Sequence, residues 1–228
     1  MLAVLYDVHG NLPALDAVLA DARAAGVTRF VLGGDYALFG PWPAETVERL
    51  RSIEGAEWIR GNGERWTADP EGAPGDPVIQ GAIAASREAL GTDVVAELAA
   101  LPESHSRGDC LFVHGSPASD VRSFLPEPAG DEPELLAGVT ADRLVFGHTH
   151  LQFRRHGAGG IELLNPGSVG MPFDGDPRAG YALLGDDGEI ETRRVVYDRV
   201  ASAAAVRERF PEFGETVARR IEQAAFSV

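Results

Sequence analysis

The sequence predicts an α/β protein. Short β-rich runs alternate with helical patterns through the first half of the chain. Five apolar runs along the chain end in carboxylate, imidazole or carboxamide residues. Past about residue 150 the pattern changes to closely spaced strands separated by Gly-rich turns.

Residues 2–6 form an apolar run and read as a buried strand. Leu12, Leu15, Val18, Leu19 and Ala22 follow at helical spacing, with Asn11 as N-cap, Pro13 in the first turn and Gly26 as the stop. Residues 29–33 read as a second strand, 43–53 as a helix and 57–60 as a short third strand. Residues 64–76 are rich in Gly, Pro, Asp and Glu and read as a surface loop. Two helical stretches follow, 77–90 and 92–101. Strands are expected at 110–113 and 143–146, separated by a Pro-rich loop over 116–130. Runs at 151–155, 160–164, 181–184 and 190–197 suggest an antiparallel meander. Two helices, 201–210 and 213–226, close the chain. The expectation is a single domain over 1–228, with a helical and loop insertion at about 64–105 and C-terminal helices at about 201–226.

Charge narrows the function classes. The chain has 228 residues, with 20 basic against 35 acidic side chains and a formal net charge of −15. Every basic residue is arginine. Schiff-base, pyridoxal-phosphate and P-loop lysine chemistries are therefore excluded. The acid excess argues against non-specific nucleic-acid binding and against an anionic membrane surface. No apolar run reaches the roughly 18–20 residues of a membrane span. The single cysteine, Cys110, lies in an apolar run and reads as a buried thiol in a reducing compartment. The N-terminus enters a strand with no basic region, so no signal peptide is read and the expected location is the cytoplasm.

The polar residues concentrate after the strands. The first run leads into Asp7-Val8-His9-Gly10-Asn11, the second into Gly34-Asp35 and the third into Gly61-Asn62-Gly63-Glu64. The run at 110–113 leads into His114-Gly115, and that at 143–146 into Gly147-His148-Thr149-His150. In open α/β sheets the carboxyl ends of the strands form the binding crevice. If the five strands share a sheet, the donor atoms converge at one edge. Four of the six histidines occupy these ends. An Asp or Asn after a strand is by itself commonly a turn former or a helix cap. Five strand ends that all carry metal-ligand residue types read instead as one cluster. Imidazole and carboxylate together suit Mn, Fe, Ni, Co or Zn. Seven donors (Asp7, His9, Asp35, Asn62, His114, His148 and His150) exceed one tetrahedral site and suit two metals with a shared carboxylate.

In order, Asp7-x-His9-Gly, Gly34-Asp35, Gly61-Asn62, His114-Gly and Gly147-His148-x-His150 resemble the motifs of the calcineurin-like metallophosphoesterases. Asn165-Pro-Gly-Ser168 and the opening Asp7-Val-His-Gly-Asn-Leu-Pro-Ala-Leu15 resemble the small prokaryotic phosphodiesterase branch. The resemblance implies a four-layer α/β/β/α sandwich with two mixed sheets. It implies a first metal on Asp7, His9, Asp35 and His150, and a second on Asp35, Asn62, His114 and His148, with Asp35 bridging. The implied cofactor is a pair of divalent ions, manganese first, with Fe, Ni, Zn and Co as alternatives. The implied reaction is in-line attack on a small phosphate ester by a hydroxide between the metals, with Asp35, Asn62 and His148 closest to the chemistry.

The chain departs from the family after the motif asparagine. Many members have histidine there, a group associated with leaving-group protonation, and this chain has Gly63. Glu64 is a substitute proton donor only if its pKa is raised, and otherwise a partner for Arg60 or Arg65 or an acceptor behind the site. Diesters are favoured as substrates, with a phosphomonoesterase or nucleotidase as the alternative ester class. The alternative of another kind is a non-catalytic protein-interaction scaffold on the same fold. His105 reads as solvated in a polar loop over 103–107, and His156 as a turn residue. Arg65 and Arg154 read as surface pairs rather than phosphate clamps. Tyr36 reads as pocket wall or core, and Asn165 as a support for the site or for its own turn.

Overall fold

The computed structural model describes residues 1–227. Ten strands run in chain order: β1 (Leu2–Leu5), β2 (Arg29–Leu32), β3 (Glu57–Trp58), β4 (Ser104–Arg107), β5 (Cys110–Val113), β6 (Arg143–Val145), β7 (Phe153–His156), β8 (Glu162–Asn165), β9 (Ala179–Leu184) and β10 (Ile190–Val195). The helices are α1 (Leu12–Ala24), α2 (Pro43–Arg51), α3 (Asn62–Ala68), α4 (Pro77–Ala99), α5 (Glu132–Leu135), α6 (Arg199–Arg209) and α7 (Gly214–Gln223).

The strands form two five-stranded mixed sheets, as the α/β/β/α expectation requires. The first has the order β10-β9-β1-β2-β3, and the second β4-β5-β6-β8-β7. Strands β1, β2 and β3 are parallel and linked by α1 and α2, the arrangement that the alternating first half anticipates. The period of two along β1 sorts its side chains. Ala3 and Leu5 pack on α1 and α2, whereas Leu2, Val4 and Tyr6 point into the space between the sheets. There they meet Phe112, Val145 and Leu164 of the second sheet. This inter-sheet core brings the carboxyl ends of β1, β2, β5 and β6 to one edge of the sandwich. The outer face of the second sheet is covered by little helix. Leu135 and Leu136 at α5, with Phe124 from the preceding loop, pack on Leu144, Phe146 and Leu163.

Several sequence expectations are corrected. The five strand ends do not share a sheet: three belong to the first and two to the second. The expected meander divides into two hairpins, β7–β8 and β9–β10, one in each sheet. Strand spacing sees a hairpin but not which sheet receives it. The segment 64–76 is not wholly loop, because α3 starts at Asn62 and Glu64 is buried. Residues 104–107, read as a polar loop, form edge strand β4, whose exposed face needs no apolar pattern. His105 there is partly covered, with its ring 6.0 Å from that of Phe112. His156 ends β7 rather than sitting in a turn. The stretches expected at 77–90 and 92–101 are indeed two helical segments within α4, separated at Gly91, whose non-helical φ of +74° suits glycine. Cys110 is only partly buried. No helix among the described residues is long and apolar enough to cross a membrane.

Candidate metal centre

All seven candidate donors meet at the edge where the two sheets face each other. Asp7, His9 and His150 form one group, and Asp7, Asp35 and His114 another, each with donor atoms within 4.8 Å of one another. Asn62 completes the second side, with its amide oxygen 3.0 Å from His114 Nε2 and 2.8 Å from His148 Nδ1. The Asp35 carboxylate lies between the groups. Its Oδ2 is 3.8 Å from His9 Nε2, and its Oδ1 is 3.5 Å from His114 Nε2. Asp7 Oδ1 is 3.6 Å from His150 Nε2 and 3.9 Å from His114 Nε2.

The backbone is strained where these side chains leave it. Asp7, His9, Asp35, His148 and His150 have φ of +54°, +49°, +56°, +66° and +58°. Non-glycine residues rarely adopt this region, and clusters of such residues mark functional sites. Surrounding hydrogen bonds hold the strain. Asp7 N donates to Gly34 O, His9 N to Asp35 O and Gly10 N to Tyr36 O, so the loops after β1 and β2 lock together. His148 N donates to Asp7 Oδ2 at 3.0 Å, which ties the second sheet to the first. Ser168 Oγ donates to Asp7 O and accepts from Met171 N.

Backbone carbonyls set the imidazole tautomers. A carbonyl only accepts, so the nitrogen facing it carries the proton. His9 Nδ1 donates to Leu38 O, His114 Nδ1 to Gly33 O and His150 Nδ1 to Met171 O. Each Nε2 therefore turns a lone pair inward. Burial keeps the rings neutral: His9 and His148 are both pushed down to about 3, and His114 and His150 are also lowered, with burial as the largest cause in each. The carboxyls move the other way. Burial raises Asp35 to about 7 and raises Asp7 strongly, with the Asp35 charge adding to the shift at Asp7.

This donor set fits cations. Asp7 Oδ1 is fully buried and has no hydrogen-bond partner. Ligand atoms around an octahedral cation at about 2.1 Å lie about 3 Å apart, which is the spacing seen across His9–His150 and Asn62–His114. Without a cation the Asn62 amide satisfies its neighbours only when turned round, with its nitrogen donating to both rings. A cation there would instead draw the oxygen inward.

Residues behind the donors fix the loops. Glu64 is buried, and its carboxylate accepts from Asp35 N, Tyr36 N and Gly61 N at 2.8–2.9 Å. It pairs with neither nearby arginine: Arg60 bonds Glu103, and Arg65 forms a two-pronged pair with Asp120. Burial, then the Asp35 charge, raises Glu64 to about 7. Gly63 N donates to Asp35 Oδ1 at 2.7 Å. Tyr36 is core, its hydroxyl shared between Leu32 O and Ile59 O. Asn165 serves both its expected roles, donating to Gly147 O and Thr149 Oγ1 while its oxygen accepts from Gly167 N. Arg154 pairs with Glu162 on the surface. A cleft of about 400 Å³ opens beside His114, lined by Arg65, Ser116, Ser119 and Asp120 among others.

Sequence reasoning missed the aromatic and apolar setting. Phe173 stacks on His150 at 4.3 Å, and Phe39 meets His9 edge-on at 5.5 Å. Leu38 and Met171, whose carbonyls orient His9 and His150, pack in one cluster with Val217, Ala218 and Ile221 of α7. The apolar face of α7 was visible in its spacing, but its target was not.

A sandwich of two mixed sheets with a histidine- and carboxylate-rich edge defines a class, and comparison with known proteins agrees. The profile of the calcineurin-like phosphoesterase superfamily domain matches residues 1–188. The chain belongs to that superfamily. An uncharacterised protein of Methanocaldococcus jannaschii is 30% identical over 237 residues, covering 93% of this chain and 95% of its own. The phosphodiesterase YfcE of Escherichia coli K12 is 31% identical over 190 residues, covering 79% of this chain and 85% of YfcE. The solved metallophosphoesterase from Sphaerobacter thermophilus superposes with a TM-score of 0.82 at 28% identity, over 98% of this chain and 99% of its own.

Proposed function

We propose that this chain is a phosphodiesterase that holds two divalent cations, manganese by preference, and hydrolyses a small phosphate ester. The observation that carries this reading is the convergence of seven neutral or anionic donors, five of them on strained backbone, around the orphaned Asp7 Oδ1. Asp7, His9, Asp35 and His150 would hold one cation, and Asp35, Asn62, His114 and His148 the other. Bound cations supply Lewis-acid charge for the phosphate oxygens and make a water acidic enough to serve as nucleophile at neutral pH.

The chain's own residues do the rest. Asp35 places one carboxylate oxygen toward each donor group. Asn62 and His148 lie together on the second side, and His148 is less buried than His114, so it faces an arriving ester. Gly63 offers no proton to a leaving group. Positioned acid catalysis contributes about 10² to 10⁴ in rate, so esters with stable leaving groups are favoured. The YfcE relative supports the diester preference. The lone thiol, Cys110, is in keeping with a reducing compartment, and we place the enzyme in the cytoplasm.

The test compares manganese-loaded protein on bis(p-nitrophenyl) phosphate and p-nitrophenyl phosphate. Faster hydrolysis of the diester is expected, with Asp35→Asn and His148→Ala each losing at least about 100-fold. Full activity in both variants would overturn the metal mechanism. Absence of bound metal after loading would favour the scaffold reading.

A further inference from the structure

The C-terminal helix brings a cation and an aromatic ring to the first-metal side of the site, outside the 1–188 segment that the superfamily profile matches. α7 packs on Leu38 and Met171 through Val217, Ala218 and Ile221. Gly175 N donates to Ala224 O at 2.9 Å, which ties the chain after α7 to the loop that follows Met171. From His150 a line of rings leads outward. Phe173 stacks on His150 with an interplanar angle of 14°, Phe226 meets Phe173 edge-on at 5.4 Å, and the Arg220 guanidinium lies 4.4 Å over the Phe226 ring.

Arg220 stands apart in this arginine-only chain. Among the described residues 14 of the 20 arginines form ion pairs, including its neighbour Arg219, which bonds Glu215, and of the six that do not, Arg220 is the one set against an exposed ring. Among the described residues no carboxylate pairs with Arg220, whose Nε donates to Phe226 O. It is partly buried, and burial lowers its pKa, opposed only by the charge of Asp76, which forms no ion pair with it. Phe226 keeps 60% of its surface exposed beside this guanidinium. A planar group laid on such a ring gains stacking, and an anionic oxygen beside it gains a charge-assisted hydrogen bond.

We propose that Arg220 and Phe226 bind the substrate: Arg220 pairs with the phosphate of the ester, and Phe226 stacks on a planar aromatic group that the ester carries. Phe173 and Phe39 extend that apolar rim toward His150 and His9. This rests on the phosphoesterase reading above and adds the substrate class, an aromatic phosphate ester, nucleoside or aryl.

Calorimetry on manganese-loaded protein tests it with three probes: adenosine monophosphate, phenyl phosphate and inorganic phosphate. Arg220→Ala is expected to weaken all three about tenfold, with Arg220→Lys in between. Phe226→Ala is expected to weaken the two aromatic probes about tenfold and leave inorganic phosphate unchanged. Arg219→Ala is the control and binds as the parent does. Bound manganese is measured in every variant and is expected to stay at the parental level. The ratio between the two aromatic probes separates a nucleoside site from an aryl site. Parental affinity in both Arg220→Ala and Phe226→Ala, or no binding of any probe by the parent, overturns the inference. The two readings fail separately. A parent that binds the probes but hydrolyses no ester removes the proposed activity alone. A parent that hydrolyses diesters, with unchanged variants, removes this recognition site alone.

Discussion

The Nε2 atoms of His9 and His150 face each other across 3.0 Å, although each ring already uses its only N–H on a backbone carbonyl. Two lone pairs at that distance repel. A shared proton is opposed by burial, which pushes both rings well below the ordinary histidine range. A cation between them would resolve the conflict, and the buried charge suits one: Asp7 and Asp35 are acids that a cation would ionise.

Manganese binding is therefore expected to release protons from carboxyls and none from imidazoles. At pH 6 Asp35, raised to about 7, is mostly protonated in the metal-free protein, and Asp7 is raised as well. Affinity should rise with pH at least through 7. The raised carboxyls give the stability of the metal-free protein the opposite trend. The lowered histidines oppose it until the unfolded imidazoles are neutral, above about pH 7.5. Asp35 and Glu64, both raised to about 7, stabilise the fold fully only below the ordinary carboxyl range, and that contribution is lost as pH rises through 7. Calorimetry at pH 6 in buffers of different ionisation enthalpy reads the proton count. Zero protons released would rule out this arrangement of charge.

The candidate donors were legible because each follows an apolar strand, and a strand end fixes where the next residue goes. Asp7, His9, Asp35, Asn62, His114, His148 and His150 all sit where that logic puts them. The division of strands between sheets was not legible, because β8 and β9 have similar patterns and only the inter-sheet core, through Leu164 and Ala182, assigns them. Glu64 was hidden for another reason. A carboxylate in a Gly- and Pro-rich stretch reads as solvated, and only the three amide donors around it show why it is buried. Arg220 was hidden because nothing in a helical spacing says which pole of the sandwich the helix reaches.

Replacing Gly63 with histidine is expected to impair the enzyme rather than supply the missing acid. A Cβ at this position would lie 2.8 Å from Asp35 Oδ1, the oxygen that Gly63 N already holds. Real Cβ atoms do not approach so closely, so the carboxylate must move, and in the proposed site it touches both cations. Gly63→Ala should show the same defect without any imidazole. Both variants are expected to bind manganese at least about tenfold more weakly and to lose diesterase activity in step. A Gly63→His protein with parental manganese affinity and faster turnover would refute this account.

Ile221 on α7 is buried and packs in the cluster that holds Leu38 and Met171. Those two residues present the carbonyls that aim His9 and His150. Ile221→Ala removes a buried side chain and should cost about 2–5 kcal/mol. For a chain of this length that is a fall in Tm on the order of 5–15 °C. Cavity cost alone does not single out the metal site, so Leu135→Ala serves as the matched loss. Leu135 is equally buried, but it lies on the outer face of the second sheet, away from the donors. Both variants should melt earlier. Only Ile221→Ala should also weaken manganese binding below the melting transition, because only there does the cavity loosen the carbonyls that hold two ligands in register. Equal manganese affinity in the two variants would show that α7 stabilises the fold without tuning the site.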